Sequence, residues 1–175
     1  RGRKIYSLHA HEVECIGKGK AHAPYEFGVK VSVATTLKRS RGGQFALHAM
    51  ALPGNPYDGH TLATVIPDME RVIGSQTQRI LADAGYRGWP AREIIESHGY
   101  IPHVVSRPKE AAAKRRNPAK KARRWVVEVC HSWFNRFRKL LVRYEKLERS
   151  FMALNHIAAA IIAFRKIKLT ANIIY

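Results

Sequence analysis

Two runs of alternating residues bracket a glycine-containing turn, and they commit the first half of the chain to a sheet. "YEFGVKVSVATT", residues 25–36, places Phe27, Val29, Val31 and Val33 on every second position, the period of a half-buried strand. After "LKRSRGG", the segment "QFALHAMAL" alternates again through Phe45, Leu47 and Ala49. A pair of this kind predicts an antiparallel hairpin.

"PGNPYDGHTL" ends the second strand and offers Asp58 or Thr61 as the N-cap of a helix. Leu62, Val65, Ile66, Met69 and Val72 or Ile73 then recur at three- and four-residue steps, with Pro67 weakening the middle. "QRILADAGY" predicts a strand, "PAREIIESHG" a short helix ending at Gly99, and "YIPHVV" a strand whose Pro102 favours an edge. Residues 107–124 carry nine basic residues and one acid without apolar periodicity, so a solvated loop or weak helix is expected. Val126, Cys130, Trp133, Phe134, Phe137, Leu140, Leu141 and Tyr144 predict one helix of about four turns, and Leu147 to Phe164 a partner helix.

The expected fold is α/β, a mixed sheet flanked by helices, and 175 residues suit a single domain. Within it, residues 1–24 form a lead-in, 25–106 the sheet portion, 107–124 a basic loop and 125–165 the closing helices.

Lys and Arg number 31 against 13 Asp and Glu, a net charge of +18. A polyanionic partner follows, nucleic acid first. The apolar run from Phe151 to Phe164 is too short to span a bilayer, which predicts a buried helix and no membrane partner. Cys15 and Cys130 lack C-x-x-C spacing and point to a reducing compartment. "GKGK" is not a Walker A loop, no Ser-His-Asp set can be assembled, and His9, His11, Cys15 and His22 match no standard zinc spacing.

Two acids stand out. Asp83 lies at the C-terminal end of a predicted buried strand, where open α/β sheets place ligand sites, although Asp before Gly is also an ordinary turn residue. Glu128 begins the closing helix and shares a polar face with His131, Ser132, Asn135 and Lys139, although a solvated Glu complementing the helix dipole reads the same way. Together they suit Mg²⁺, a hard cation that takes few carboxylates and completes its shell with water and substrate phosphate. Two such ions stabilise both oxygens of an in-line phosphoryl displacement. The expected DNA contacts are Lys114, Arg115, Arg116, Lys120, Lys121, Arg123, Arg124, Asn135, Arg136, Arg138 and Lys139. Trp125, Trp133 and Phe134 are read as core.

"YSLHAHEVECIGKGKAHAPYEFGVKVSVATT", "ALPGNPYDGHTL" and "ILADAGYRG" resemble bacterial insertion-sequence transposases of the DDE type, and "RRWVVEVCHSWFNRFRKLLVRYEKLERSF" resembles the closing block of the same superfamily. The resemblance implies a ribonuclease H-like fold. It implies three acids holding two Mg²⁺ or Mn²⁺ ions, DNA strand cleavage, and 3′-hydroxyl transfer into target DNA. Asp83 matches the second acid and Glu128 the third; no match to the strand bearing the first lies in residues 1–24, so the triad is expected to be incomplete. Asp58 is read as a helix cap rather than a substitute. The implied partners are terminal inverted repeats and target DNA, bound by a homodimer in the bacterial cytoplasm at the nucleoid.

The block up to about Gly88 and the block from about Ile94 resemble different branches, which implies a mosaic whose first hairpin and last helices are not co-adapted. Two other readings stay open: a non-catalytic DNA-binding remnant, and a basic RNA-associated protein with exposed stacking aromatics on a sheet.

Overall fold

The computed structural model describes residues 4–37, 44–74, 79–104, 107–117 and 125–171. The chain is mixed α/β, with its described strands in three separate antiparallel or parallel pairs rather than one sheet. β1 (Glu14–Lys20) and β2 (Ala23–Gly28) form a hairpin in which Cys15 faces Phe27 and Gly17 faces Tyr25. β3 (Lys30–Thr35) and β4 (Ala46–Leu52) form the expected second hairpin, with Lys30 opposite Leu52 and Val33 opposite Ala49. The single strand expected over residues 25–36 is thus two strands that part at Val29 and pair with different neighbours. The lead-in contributes β1.

α1 (Asp58–Ile73) follows, and Gly74 closes it in the left-handed region at φ 69°, its N–H donating to Glu70 O at 2.8 Å. Pro67 sits inside α1 on its exposed side. β5 (Arg79–Ala82), a single 3-10 turn at Ala84–Tyr86, α2 (Trp89–Ser97) and β6 (Ile101–Val104) form the next unit, with β5 and β6 parallel. The expected basic loop contains a helix, α3 (Arg107–Arg116). Its alanines favour helix, while its charged face leaves it largely exposed.

The long closing helix is broken. α4 (Trp125–Phe134) ends in tight turns, with Arg136 N–H donating to Trp133 O and Phe137 N–H to Phe134 O, before the short α5 (Arg138–Leu141). Phe137 and Leu140 still reach the core beyond the break, whereas Leu141 and Tyr144 point to solvent. α6 (Glu148–Ala171) runs 24 residues, longer than its apolar run suggests. By length and composition alone its Glu148–Ile167 portion could cross a membrane, but Phe151, Asn155, Ala158 and Ile162 are buried, a stripe turned toward the protein interior.

Two cores result. In one, Ala49, Cys130, Phe134, Ala158 and Ile162 pack with Val31 and Val33, joining the β3–β4 hairpin to α4 and α6. In the other, Leu62, Ile66, Ala91, Ile95 and Tyr100 pack with Ile80, Tyr86 and Val104. The hairpin and the closing helices, expected to be poorly matched, therefore share one core.

α6 also explains why β4 takes no second strand. His156 Nε2 lies 3.1 Å from Ala49 O, Ala51 N–H donates to Met152 Sδ at 2.8 Å, and the Lys166 ammonium donates to Gln44 O. The first two contacts thus satisfy groups of Ala49 and Ala51 within β4, and the third satisfies one just before it.

Candidate active-site turn and nucleic-acid interface

Asp83 directly follows β5, half-buried, and its carbonyl accepts the Tyr86 N–H at 3.0 Å. Ala82 is level with Val104 across the parallel pair, so Asp83 leaves the C-terminal ends of the strands as expected. The turn and segment that follow it line a cleft with Tyr86, Arg87, Gly88, Arg92, Pro102 and Val104, of which Asp83 is not part. Arg87 and Arg92 were not among the expected DNA contacts, because neither lies in a basic run. Arg92 pairs with Glu96 at 2.8 Å on the surface.

The Tyr86 phenol is held largely protonated: burial pushes its pKa up, hydrogen bonding with Thr61 and Ser32 opposes this, and the charges of Asp58 and Asp83 add to the rise. Both carboxylates thus act on one hydroxyl. Asp58 is not the helix cap expected of it. Tyr57 occupies that position without a side-chain cap, Thr61 Oγ1 donates to the Asp58 carbonyl at 2.7 Å, and the Asp58 carboxylate accepts from Lys30 Nζ at 2.8 Å. A partner 28 positions upstream outcompetes the local cap.

Glu128 is exposed in the first turn of α4, and His131, Ser132, Asn135 and Lys139 are exposed with it, the polar face read from spacing. Val31 and Val33 of β3 pack toward α4 and α6, while the intervening Ser32 meets Tyr86. Successive side chains of a strand point to opposite faces, so α4 and the Asp83 turn lie against opposite faces of β3, and the convergence of Asp83 and Glu128 on shared ions expected from the sequence is not formed here, because the strand lies between them. Among the described residues no three His, Cys, Asp or Glu side chains gather as a metal-binding group. The chemistry of the Asp83 end nonetheless suits a hard cation, since Mg²⁺ needs only one or two protein carboxylates beside water and phosphate.

Lys114, Arg115 and Arg116 are exposed in the last turn of α3, and Asn135, Arg136, Arg138 and Lys139 are exposed where α4 gives way to α5. Lys120, Lys121, Arg123 and Arg124 lie outside the described residues. Phe134 is buried and Trp133 packs on the core, as read, but Trp125 is 50% exposed. Tyr25 and Phe27 are each 63% exposed on one face of β2, and Tyr6 lies 5.5 Å from Phe27. The aromatics are therefore less uniformly buried than their sequence setting suggests.

Elsewhere His48 of β4 is buried, with Nε2 2.8 Å from the Asp68 carboxylate on α1. That contact, followed by Arg71, holds Asp68 below the usual carboxylate range. Burial pushes the Cys130 thiol up to about 12, and both cysteines are free.

Residues 80–165 match the family model described as "Transposase DDE domain". A Burkholderia cepacia protein described as "Putative transposase for insertion sequence element IS402" is 31% identical over 88 residues, covering 49% of this chain and 39% of that protein. The chain thus spans about two fifths of that relative's length. No solved structure matches. The family match covers both Asp83 and Glu128, and residues 80–165 are similar to the DDE domain of transposases.

Proposed function

We propose that this chain serves DNA transposition by metal-dependent strand cleavage and 3′-hydroxyl transfer within a ribonuclease H-like architecture, with Asp83 as the carboxylate for Mg²⁺ or Mn²⁺; Glu128, across β3 from it, is not assigned to the same ion. The observation that carries the reading is the position of Asp83: a carboxylate at the C-terminal end of a parallel strand pair. When bound, the divalent ions supply charge stabilisation for in-line phosphoryl displacement. The chain's own residues position the strands. Asp83 presents hard oxygens at the strand end.

Lys114, Arg115, Arg116, Asn135, Arg136, Arg138 and Lys139 hold the phosphate backbone, giving affinity without sequence readout. The full site, with two ions, further acids and a second copy on DNA, belongs to the whole transposase in the bacterial cytoplasm.

Mn²⁺ titration followed by electron paramagnetic resonance tests the assignment. Asp83→Asn is expected to weaken Mn²⁺ binding at least tenfold, the loss of a charged ligand costing about 1.4 kcal/mol or more, and Glu128→Gln to leave it unchanged. Loss with Glu128→Gln as well would bring Glu128 back to the ion, and no loss with Asp83→Asn removes the metal assignment. The non-catalytic remnant predicts something else: DNA affinity that falls steeply with salt and responds neither to Mg²⁺ nor to Asp83→Asn. Replacing Lys114, Arg115 and Arg116 with Ala should lower the slope of log affinity against log salt by about 3.

A further inference from the structure

The 3-10 turn that carries Asp83 out of β5 is three residues long, with Tyr86 N–H donating to Asp83 O at 3.0 Å. Such a turn does not by itself fix a carboxylate. The corner where the chain enters α1 closes on it from outside. Tyr57 Oη donates to Arg87 O at 2.9 Å. A Cβ built on Gly85 would lie 2.6 Å from Asp58 Oδ2, so the turn passes directly under that carboxylate and any larger residue there would force Asp58 to move. Asp58 is itself fixed: Lys30 Nζ reaches its Oδ1 at 2.8 Å and Pro56 O at 2.7 Å. Thr61 and Ser32 meet the Tyr86 hydroxyl from α1 and β3.

We propose that Lys30, Tyr57 and Asp58 form a positioning clamp that sets the direction of Asp83 through the Gly85–Arg87 backbone. The inference rests on Asp83 being a metal ligand, and it gives Asp58 a role other than capping or ligation. Stability is a poor explanation for the arrangement. The Lys30 and Asp58 side chains are 26% and 39% exposed, and ion pairs of this exposure contribute little to folding. A ligand, by contrast, must be held to within about 0.5 Å of its working geometry, and small displacements are costly to the chemistry it serves.

The test uses the full chain and two readouts, amide hydrogen exchange at residues 85–87 and Mn²⁺ affinity, with thermal stability followed in parallel. Tyr57→Phe and Lys30→Met should each speed exchange at those amides by about tenfold, the effect of losing one hydrogen bond, and weaken Mn²⁺ several-fold with little change in melting temperature. Lys30→Arg should restore both. Gly85→Ala should have the larger effect, and Asp58→Ala in that background should relieve part of it by removing the clash. Unchanged exchange in Tyr57→Phe and Lys30→Met overturns the clamp. So does faster exchange with Mn²⁺ affinity unaltered while Asp83→Asn abolishes binding. If Asp83→Asn leaves Mn²⁺ binding intact, the ligand assignment fails and with it the purpose given to the clamp, whatever the exchange rates show.

Discussion

The two cores differ in how far apart in sequence their parts lie. The core of Leu62, Ile66, Ala91, Ile95 and Tyr100 is assembled from one continuous stretch, α1 through β6, and holds Ile66 and Ile95, two of the three largest fully buried side chains. The core of Ala49, Cys130, Phe134, Ala158 and Ile162 joins a hairpin to helices about a hundred positions later. The first depends on local closure. The second must bring distant segments together at a greater entropic cost of loop closure. Asp83 leaves the local unit, and Glu128 belongs to the distant one.

Phe134→Ala should give the largest loss, about 3–5 kcal/mol for a buried aromatic side chain. Hydrogen exchange should show it concentrated in β3, β4, α4 and α6. Ile95→Ala should cost about 2–4 kcal/mol, with the loss concentrated in α1, α2 and β6. If both substitutions release every element equally, the cores are one cooperative unit and the contrast fails.

The smallest effect is a pH dependence. Because burial raises the Cys130 pKa from 9.0 to about 12, the folded chain keeps a proton that the unfolded chain loses. The thiol's stabilising effect is complete below pH 9 and is lost progressively as pH rises toward 12. By pH 10 the loss should be on the order of 1 kcal/mol and vanish in Cys130→Ala. Denaturant titrations at pH 8 and pH 10 check this, and a dependence that survives the substitution assigns it elsewhere.

The local unit is the part most legible in the sequence. The periodicity of α1, the apolar run of β5 and the glycine after α2 each carry their own signal, and Asp83 sits where the pattern puts it. The distant core is legible only in pieces. Val31 and Val33 mark a strand, but the same alternation continues through Val29 into β2 and conceals the change of partner. β1 has no such pattern to offer, since "ECIGKGK" is interrupted by two glycines. The apolar stripe of the closing block continues across Asn135 because Phe137 and Leu140 pack into the same core, so periodicity cannot register the break. Asp58 misleads for a different reason: its position beside a helix start is local information, whereas Lys30, which decides its role, is not.

α6 does more than complete a core, because His156, Met152 and Lys166 occupy hydrogen-bonding groups along the outer flank of the hairpin. Peeling that helix away would uncover the Ala49 carbonyl and the Ala51 amide of β4, groups able to pair with a strand from another molecule. The carboxy-terminal helix is therefore a guard against self-association, and conditions that loosen it should promote aggregation before the local unit melts.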